Sequence, residues 1–275
     1  MFRRFIFLFV LAGCAVAARS AESEPGIFTG QLSSEFENAY LSTSGTLCDT
    51  RPTSLQNLDW DLSLGRYGHF WGYGAFLSML HDKQSDLHRM AFNEFETGVF
   101  YGYDWKLNDD FIFSQSAGGV WNPLFGYRHG NDETLWEYRY FQSLENPWLT
   151  PFWDILGMIS PTPDWARIRF GVRRTFALGE SFLLTPTLEA VWGDGDRFSV
   201  RYGEKPNDEF LNGALVTTTA GIKLEWRLTE RWSVWAKVRQ LDTINHQARR
   251  LEKAKTVYWA KPDYTIFTLG CGCRF

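Results

Sequence analysis

The stretch that decides the fold is Asp263–Phe275, DYTIFTLGCGCRF. Counting back from Phe275, apolar side chains fall on every second residue: Phe275, Cys273, Cys271, Leu269 and Phe267. Between them stand Arg274, Gly272, Gly270, Thr268 and Ile266, mostly small or polar. A period of two sends the two sets to opposite faces of a β-strand. An apolar strand ending on Phe, with no polar tail, predicts the closing strand of a barrel that faces lipid.

Residues 1–23, MFRRFIFLFVLAGCAVAARSAES, carry two arginines, an apolar run from Phe5 to Ala12, and then small residues. That is the order of a secretory signal peptide. The run is too short to cross a bilayer as a helix. Ala15-Val16-Ala17 has the small-x-small form, so cleavage is expected after Ala17, or as far on as residue 21. Leu11-Ala12-Gly13-Cys14 offers a competing lipobox that would acylate Cys14. The short apolar segment before it weighs against that reading. The expected organisation is a signal peptide over 1–17, a short periplasmic lead-in over 18–27, and one domain over 28–275.

Aromatics make up 17% of the chain, yet mean hydropathy is −0.28. A transmembrane barrel reconciles the two, because its strands alternate apolar outside with polar inside. Cys271 and Cys273 share one strand face about 7 Å apart, too far for an unstrained disulfide, and read as small lipid-facing residues.

Period-two runs bounded by turn residues predict strands near 28–42, 54–66, 69–81, 92–106, 110–122, 134–145, 148–158, 164–178, 181–193, 212–228, 231–245 and 260–275. Twelve is an even number, as single-chain barrels require. Tight turns at 66–69, 107–110, 144–147, 177–180 and 228–231 alternate with longer connections at 43–53, 82–91, 123–133, 159–163, 194–211 and 246–259. That alternation matches periplasmic turns and extracellular loops, and puts both termini on the periplasmic side. Phe70, Trp71, Trp105, Phe111, Trp148, Phe176, Phe182 and Trp232 lie near short turns. Tyr40, Trp121, Trp136, Trp192 and Trp259 lie near the long-loop ends. Two aromatic belts follow. Pro151 and Pro186 sit in strand starts, where bulges or late pairing are expected.

Fixing the apolar outer positions assigns the inner ones. Glu35, Glu37, Asp59, Asp61, Glu94, Glu96 and Asp104 are expected to line the interior as an acidic wall. Arg167, Arg169, Arg173, Lys223, Arg227, Lys237 and Arg239 are expected to form a basic wall facing it. Residues 18–140 carry 8 basic and 17 acidic side chains, while 141–275 carry 18 and 15. Two readings follow: paired charges that fill a narrow interior, or a wet pore with a transverse field. Inward Gly98, Gly102, Gly118, Gly171, Gly221, Gly270 and Gly272 are expected to leave local room.

On the export signal, the alternating loop lengths and the Thr265–Phe275 strand, the chain resembles the Gram-negative outer-membrane β-barrels. It is also similar to uncharacterised barrel proteins in Ser143–Trp148 and Ile244–Arg250. The resemblance implies an all-β, up-and-down, porin-like barrel of about twelve strands in the outer membrane. It further implies that Phe275, Leu269 and Phe267 form the signal read by the barrel assembly machinery. Outer-membrane lipids and lipopolysaccharide are the expected surroundings, and small solutes the expected cargo.

The lipid-hydrolysing relatives carry a His-x-Ser element, and none of the five histidines here is followed by Ser two residues on. His81, His88, His129 and His246 fall near the long-loop end with Asp82, Asp86 and Asp132, residue types that serve a water-activating dyad or a metal site but that polar loops carry anyway. No zinc, phosphate-loop, dinucleotide or nucleophile-elbow motif is present, so no cofactor and no metal are expected. The acidic balance argues against nucleic acid. Asp194-Gly195-Asp196 is a weak calcium-like string best read as a turn. Arg249, Arg250, Lys253, Lys255 and Lys261 make the last loop basic, facing lipopolysaccharide or anionic solutes. The function expected is a narrow passive channel for small polar or anionic solutes. A rim enzyme and a closed-lumen surface-binding barrel are the alternatives.

Overall fold

The computed structural model describes residues 26–41, 47–50, 52–79, 94–123, 134–160, 166–193, 213–254 and 261–275. Twelve antiparallel strands form one closed sheet: β1 (Phe28–Glu37), β2 (Thr53–Ser63), β3 (His69–Met79), β4 (Glu94–Lys106), β5 (Ile112–Pro123) and β6 (Thr134–Glu145). The ring continues with β7 (Thr150–Ser160), β8 (Ala166–Arg173, resuming as Phe176–Leu178), β9 (Phe182–Gly193), β10 (Ala214–Arg227), β11 (Trp232–Thr243) and β12 (Asp263–Arg274). Each strand pairs with the next, and β12 returns to β1 with Gln31 opposite Arg274 and Glu37 opposite Thr268. Closure leaves the sheet no free edge, the condition for crossing hydrocarbon with strands.

Short turns at one end are built from polar side chains that cap the backbone. Asn108 Oδ1 accepts from the N–H groups of Asp110 and Phe111. Asn146 Oδ1 accepts from Trp148 and Leu149, and Thr229 Oγ1 from Arg231 and Trp232. Asn and Thr at these positions replace the strand ladder with a local turn. Gly26 and Phe275 both lie at this end, through Gly26 N–H to Ser63 O and Phe275 N–H to Gly30 O.

The outer wall is apolar. Leu32, Leu58, Val99, Trp153, Phe170, Leu188, Ile222, Leu224, Phe267 and Leu269 are all exposed. A band of this size is stable only against lipid or another protein. No helix among the described residues is long and apolar enough to cross a membrane. Phe70, Trp148, Phe176, Phe182 and Trp232 are exposed at the short-turn end, and Trp136 at the other. Trp71 departs from the expected belt: it faces inward and stacks on Phe100 at 4.1 Å between ring centres. Trp259 lies outside the described residues, as does the whole segment 1–25.

The two prolines show late or interrupted pairing instead of bulges, the ladder to β6 beginning only at Phe152, after Pro151. Pro151 pairs in register with Val172, without a bulge. Pro186 stands opposite the interruption in β8, where the ladder stops at Arg173–Thr187 and resumes at Phe176–Leu184 with unchanged register. Pro has no N–H to give across the strand. Arg174 N–H still donates to Pro186 O (3.3 Å), and the hydroxyls of Thr175 and Thr185 meet at 3.0 Å. Bulges occur instead near the long-loop end, at Trp136/Glu137 and Val191/Trp192.

The last long connection contains a helix, α1 (His246–Ala254), where a plain loop was expected. Asn245 caps it, its Oδ1 accepting from Ala248 N–H at 3.0 Å. Arg249 ties it to the rim through Asp242 (2.8 Å) on β11 and Asp263 (2.5 Å) on β12. That basic residue is therefore neutralised, while Arg250 and Lys253 stay exposed.

Candidate functional site: the barrel interior

Contacts across strands show how the groups on the face opposite the exposed apolar residues are used. At the β11–β12–β1 seam, Lys237 Nζ lies 3.3 Å from Glu35 and Arg239 Nη2 lies 2.5 Å from Glu37. Both contacts reach over β12, which separates the two strands. Thr268 Oγ1 on β12 also donates to Glu37, at 2.9 Å. Trp235 Nε1 donates to Glu35 at 2.8 Å while its indole lies over Gly270, where a Cβ would collide with it.

A second ionic group joins β6, β7, β8 and β9. Asp154 is fully buried and accepts a bidentate fork from Arg139 (3.0 and 2.8 Å). It also meets Arg169 at 2.9 Å, and Arg169 reaches Glu189 at 3.7 Å. A buried carboxylate held by two guanidiniums is the arrangement that lets charge persist away from bulk water. Arg167, expected on a wet wall, is only 1% exposed. Glu96 accepts from the Tyr73 hydroxyl and, at 3.5 Å, from Asn122. Glu94 pairs through its backbone with Leu77, and its side chain lies outside the described residues.

Nearer the short-turn end the charges are less neutralised. His69 Nδ1 stands 3.4 Å from Asp61 and 3.9 Å from Asp104, and Asp59 is exposed without an ion pair among the described residues. Arg173 and Arg227 are exposed and make no ion pair among the described residues. Lys223 meets Glu225 at 2.7 Å, and Glu225 is shared with Arg274 at 3.3 Å. Asp59, Asp61 and Asp104 stand on β2 and β4, Arg173 and Arg227 on β8 and β10. In a ring of twelve, strands six places apart are diametrically opposed.

The inward glycines do not leave open room. Rings occupy the spaces: Tyr73 from the neighbouring strand and Phe100 from the same strand at Gly98, Phe100 at Gly118, Phe152 at Gly171, and Trp235 at Gly270. His69 fills the space at Gly102, and the Arg239 stem lies against Gly221. Tyr73, Ala75, Phe100 and Val120, with Leu55 and Trp71, form an apolar patch inside the barrel on the acidic side. Rings laid over glycines project less into the interior than rings standing on it, so the wall gains apolar packing at these positions.

At the long-loop end the chain itself turns inward after β1. Asn38 replaces the ladder with its side-chain amide, accepting from Phe267 N–H (2.8 Å) and donating to Thr265 O (3.1 Å). Ala39 then packs, wholly buried, on Leu241 and Ile266, narrowing the interior there.

On the basic side an interior cavity of about 280 Å³ is lined by Arg169, Arg173, Lys223, Lys237 and Arg239, with Thr185, Thr187 and Phe152 among its walls. Phe152 lies under both arginines of β8, with guanidinium carbons 5.7 Å (Arg169) and 5.8 Å (Arg173) from its ring centre. Lys223 Nζ sits 4.7 Å from the Trp235 ring centre. Phe152 and Asp154 went unread in the sequence, although outward Trp153 places both on the inner face by the same alternation.

Phe267, Leu269 and Phe275 lie exposed on the outer face, and Phe275 sits against Phe28 (6.1 Å between ring centres) with its ring over Gly30. Cys271 and Cys273 are free thiols on the same face. Among the described residues no group of three or more His, Cys, Asp or Glu is placed to hold a metal ion.

No protein-family model matches the chain, and no curated protein matches it. Solved structures do. The NanC porin aligns with a TM-score of 0.52 at 9% identity, covering 89% of this chain and 98% of that one. An outer-membrane channel from Pseudomonas putida F1 aligns with a TM-score of 0.52 at 10% identity, covering 92% and 97%. At such identity the likeness speaks to fold alone, and the fold is that of a porin-like outer-membrane β-barrel.

Proposed function

We propose that this protein is a narrow, passive channel of the bacterial outer membrane, exported by residues 1–17 and passing small polar or anionic solutes. The observation that carries the reading is the set of incompletely neutralised charges on opposed walls: Asp59, Asp61 and Asp104 across from Arg173 and Arg227. Charges left unpaired inside a barrel are tolerated only where water reaches them. Twelve tilted strands make a ring roughly 24 Å across between backbones, intermediate between filled eight-stranded barrels and open sixteen-stranded ones. Opposed charge across such a gap sets up a transverse field that orients dipolar solutes and favours anions along the β8–β11 side. The similar porin and channel folds agree with this reading, as does the excess of cations around the interior cavity.

The ion pairs at mid-height favour the alternative of a closed lumen with function in the loops. The rim-enzyme alternative rests on His81, His88 and His129, which lie outside the described residues, and on His246, which begins α1. Single-channel recording in planar bilayers separates channel from closed barrel. Discrete conductance steps are expected, and Arg173→Glu with Arg227→Glu should move ion selectivity toward cations. A barrel that inserts and stays electrically silent would remove the channel reading.

A further inference from the structure

We infer that the cavity on the β8–β11 wall is a saturable binding site for a small doubly charged oxyanion, so that the channel holds such a solute rather than only letting it pass. The inference rests on the channel reading for its biological setting, and on the cavity alone for its chemistry.

Charge is the first argument. The cations lining the cavity are Arg169, Arg173, Lys223, Lys237 and Arg239. The carboxylates that line it or pair with these cations are Glu189, Asp154, Glu225, Glu35 and Glu37. Two of those carboxylates are shared with further cations, Asp154 with Arg139 and Glu225 with Arg274. Through these contacts seven cations meet five carboxylates, an excess of positive charge that a dianion would compensate more fully than a monoanion.

Preorganisation is the second. Arg169 is fixed by Asp154 and Glu189, so it has little conformational freedom to lose on binding. Arg173 carries no ion pair among the described residues, yet the face of Phe152 supports its guanidinium. That leaves the planar donor fork of Arg173 available for bidentate contact with an oxyanion. Thr185 and Thr187 line the same cavity as the cations, the Thr185 hydroxyl being shared with that of Thr175. A volume of about 280 Å³ admits a tetrahedral dianion or a small ester of one with part of its water.

Inorganic sulfate tests the site, since it is a dianion across the working pH range, with acetate as the singly charged comparison. Purified barrel in neutral detergent is titrated calorimetrically with each salt at constant ionic strength. In parallel, chloride current through planar bilayers is followed as sulfate is added. Saturable sulfate binding, markedly tighter than acetate, with matching saturable block of chloride current is expected. Arg173→Gln should weaken sulfate binding about tenfold or more, because one charge-assisted contact is lost. Lys223→Gln should weaken it in the same direction. Both side chains are outside the Asp154 ion group, and folded barrel is verified by heat-modifiable mobility before titration. Equal affinity for sulfate and acetate, or no saturation in a barrel that conducts, overturns the site and leaves the channel standing. Sulfate binding to a barrel that carries no current overturns the channel and leaves the site standing.

Discussion

Trp235 lies flat across Gly270, its partner on the neighbouring strand, so that the indole follows the inner wall instead of crossing the lumen. The same placement brings Trp235 Nε1 to Glu35, which Lys237 also holds. One missing Cβ therefore sets the position of a large ring and of an ion pair two strands away.

Gly270→Val should force the indole off the wall, because the new Cβ would stand where the ring now lies. Overpacking of this kind costs about 1–3 kcal/mol. Lower single-channel conductance and a shifted tryptophan emission are expected from a barrel that still folds. Unchanged conductance and emission would show that the ring is not held by this glycine.

Asp154→Asn should be far more damaging than any single change on the exposed charges. It leaves Arg139 and Arg169 facing each other without their buried carboxylate, a loss of about 3–5 kcal/mol for a broken buried pair. The measurement is the temperature at which folded barrel loses its heat-modifiable mobility. Replacing all three together, with Arg139→Met, Asp154→Leu and Arg169→Met, should recover most of the loss. A stable single variant would show that the group contributes little.

Phe275→Ser should lower the yield of inserted barrel several-fold. The ring covers Gly30 and packs on Phe28 at the β1–β12 seam, where closing strand meets opening strand. An aromatic laid over a strand glycine supplies the packing that the glycine lacks. The backbone bonds between Phe275 and Gly30, 3.0 and 3.1 Å, remain in the variant, so the effect isolates the ring. Insertion at wild-type yield would remove the role given to this residue.

The sequence by itself determined the ring of strands and which residues look inward. Side chains alternate with a period of two whatever the strand's neighbours are, so outward Ile168, Phe170 and Val172 sufficed to send Arg167, Arg169 and Arg173 inside. Tight turns were legible for the same reason: Asn108, Asn146 and Thr229 cap backbone groups two and three residues away. Only the tertiary structure decided what the inward groups do. Lys237 and Glu35 are 202 residues apart and meet because closure and register place β11 two strands from β1, across β12. Arg167 and Arg173 share a face and a charge, yet one is buried near the β6–β9 ion group and the other stands exposed over Phe152. Most glycines that promised space hold side chains instead, supplied chiefly by the adjacent strand. Facing is a local property of the chain, whereas pairing depends on a register that exists only once the barrel is closed.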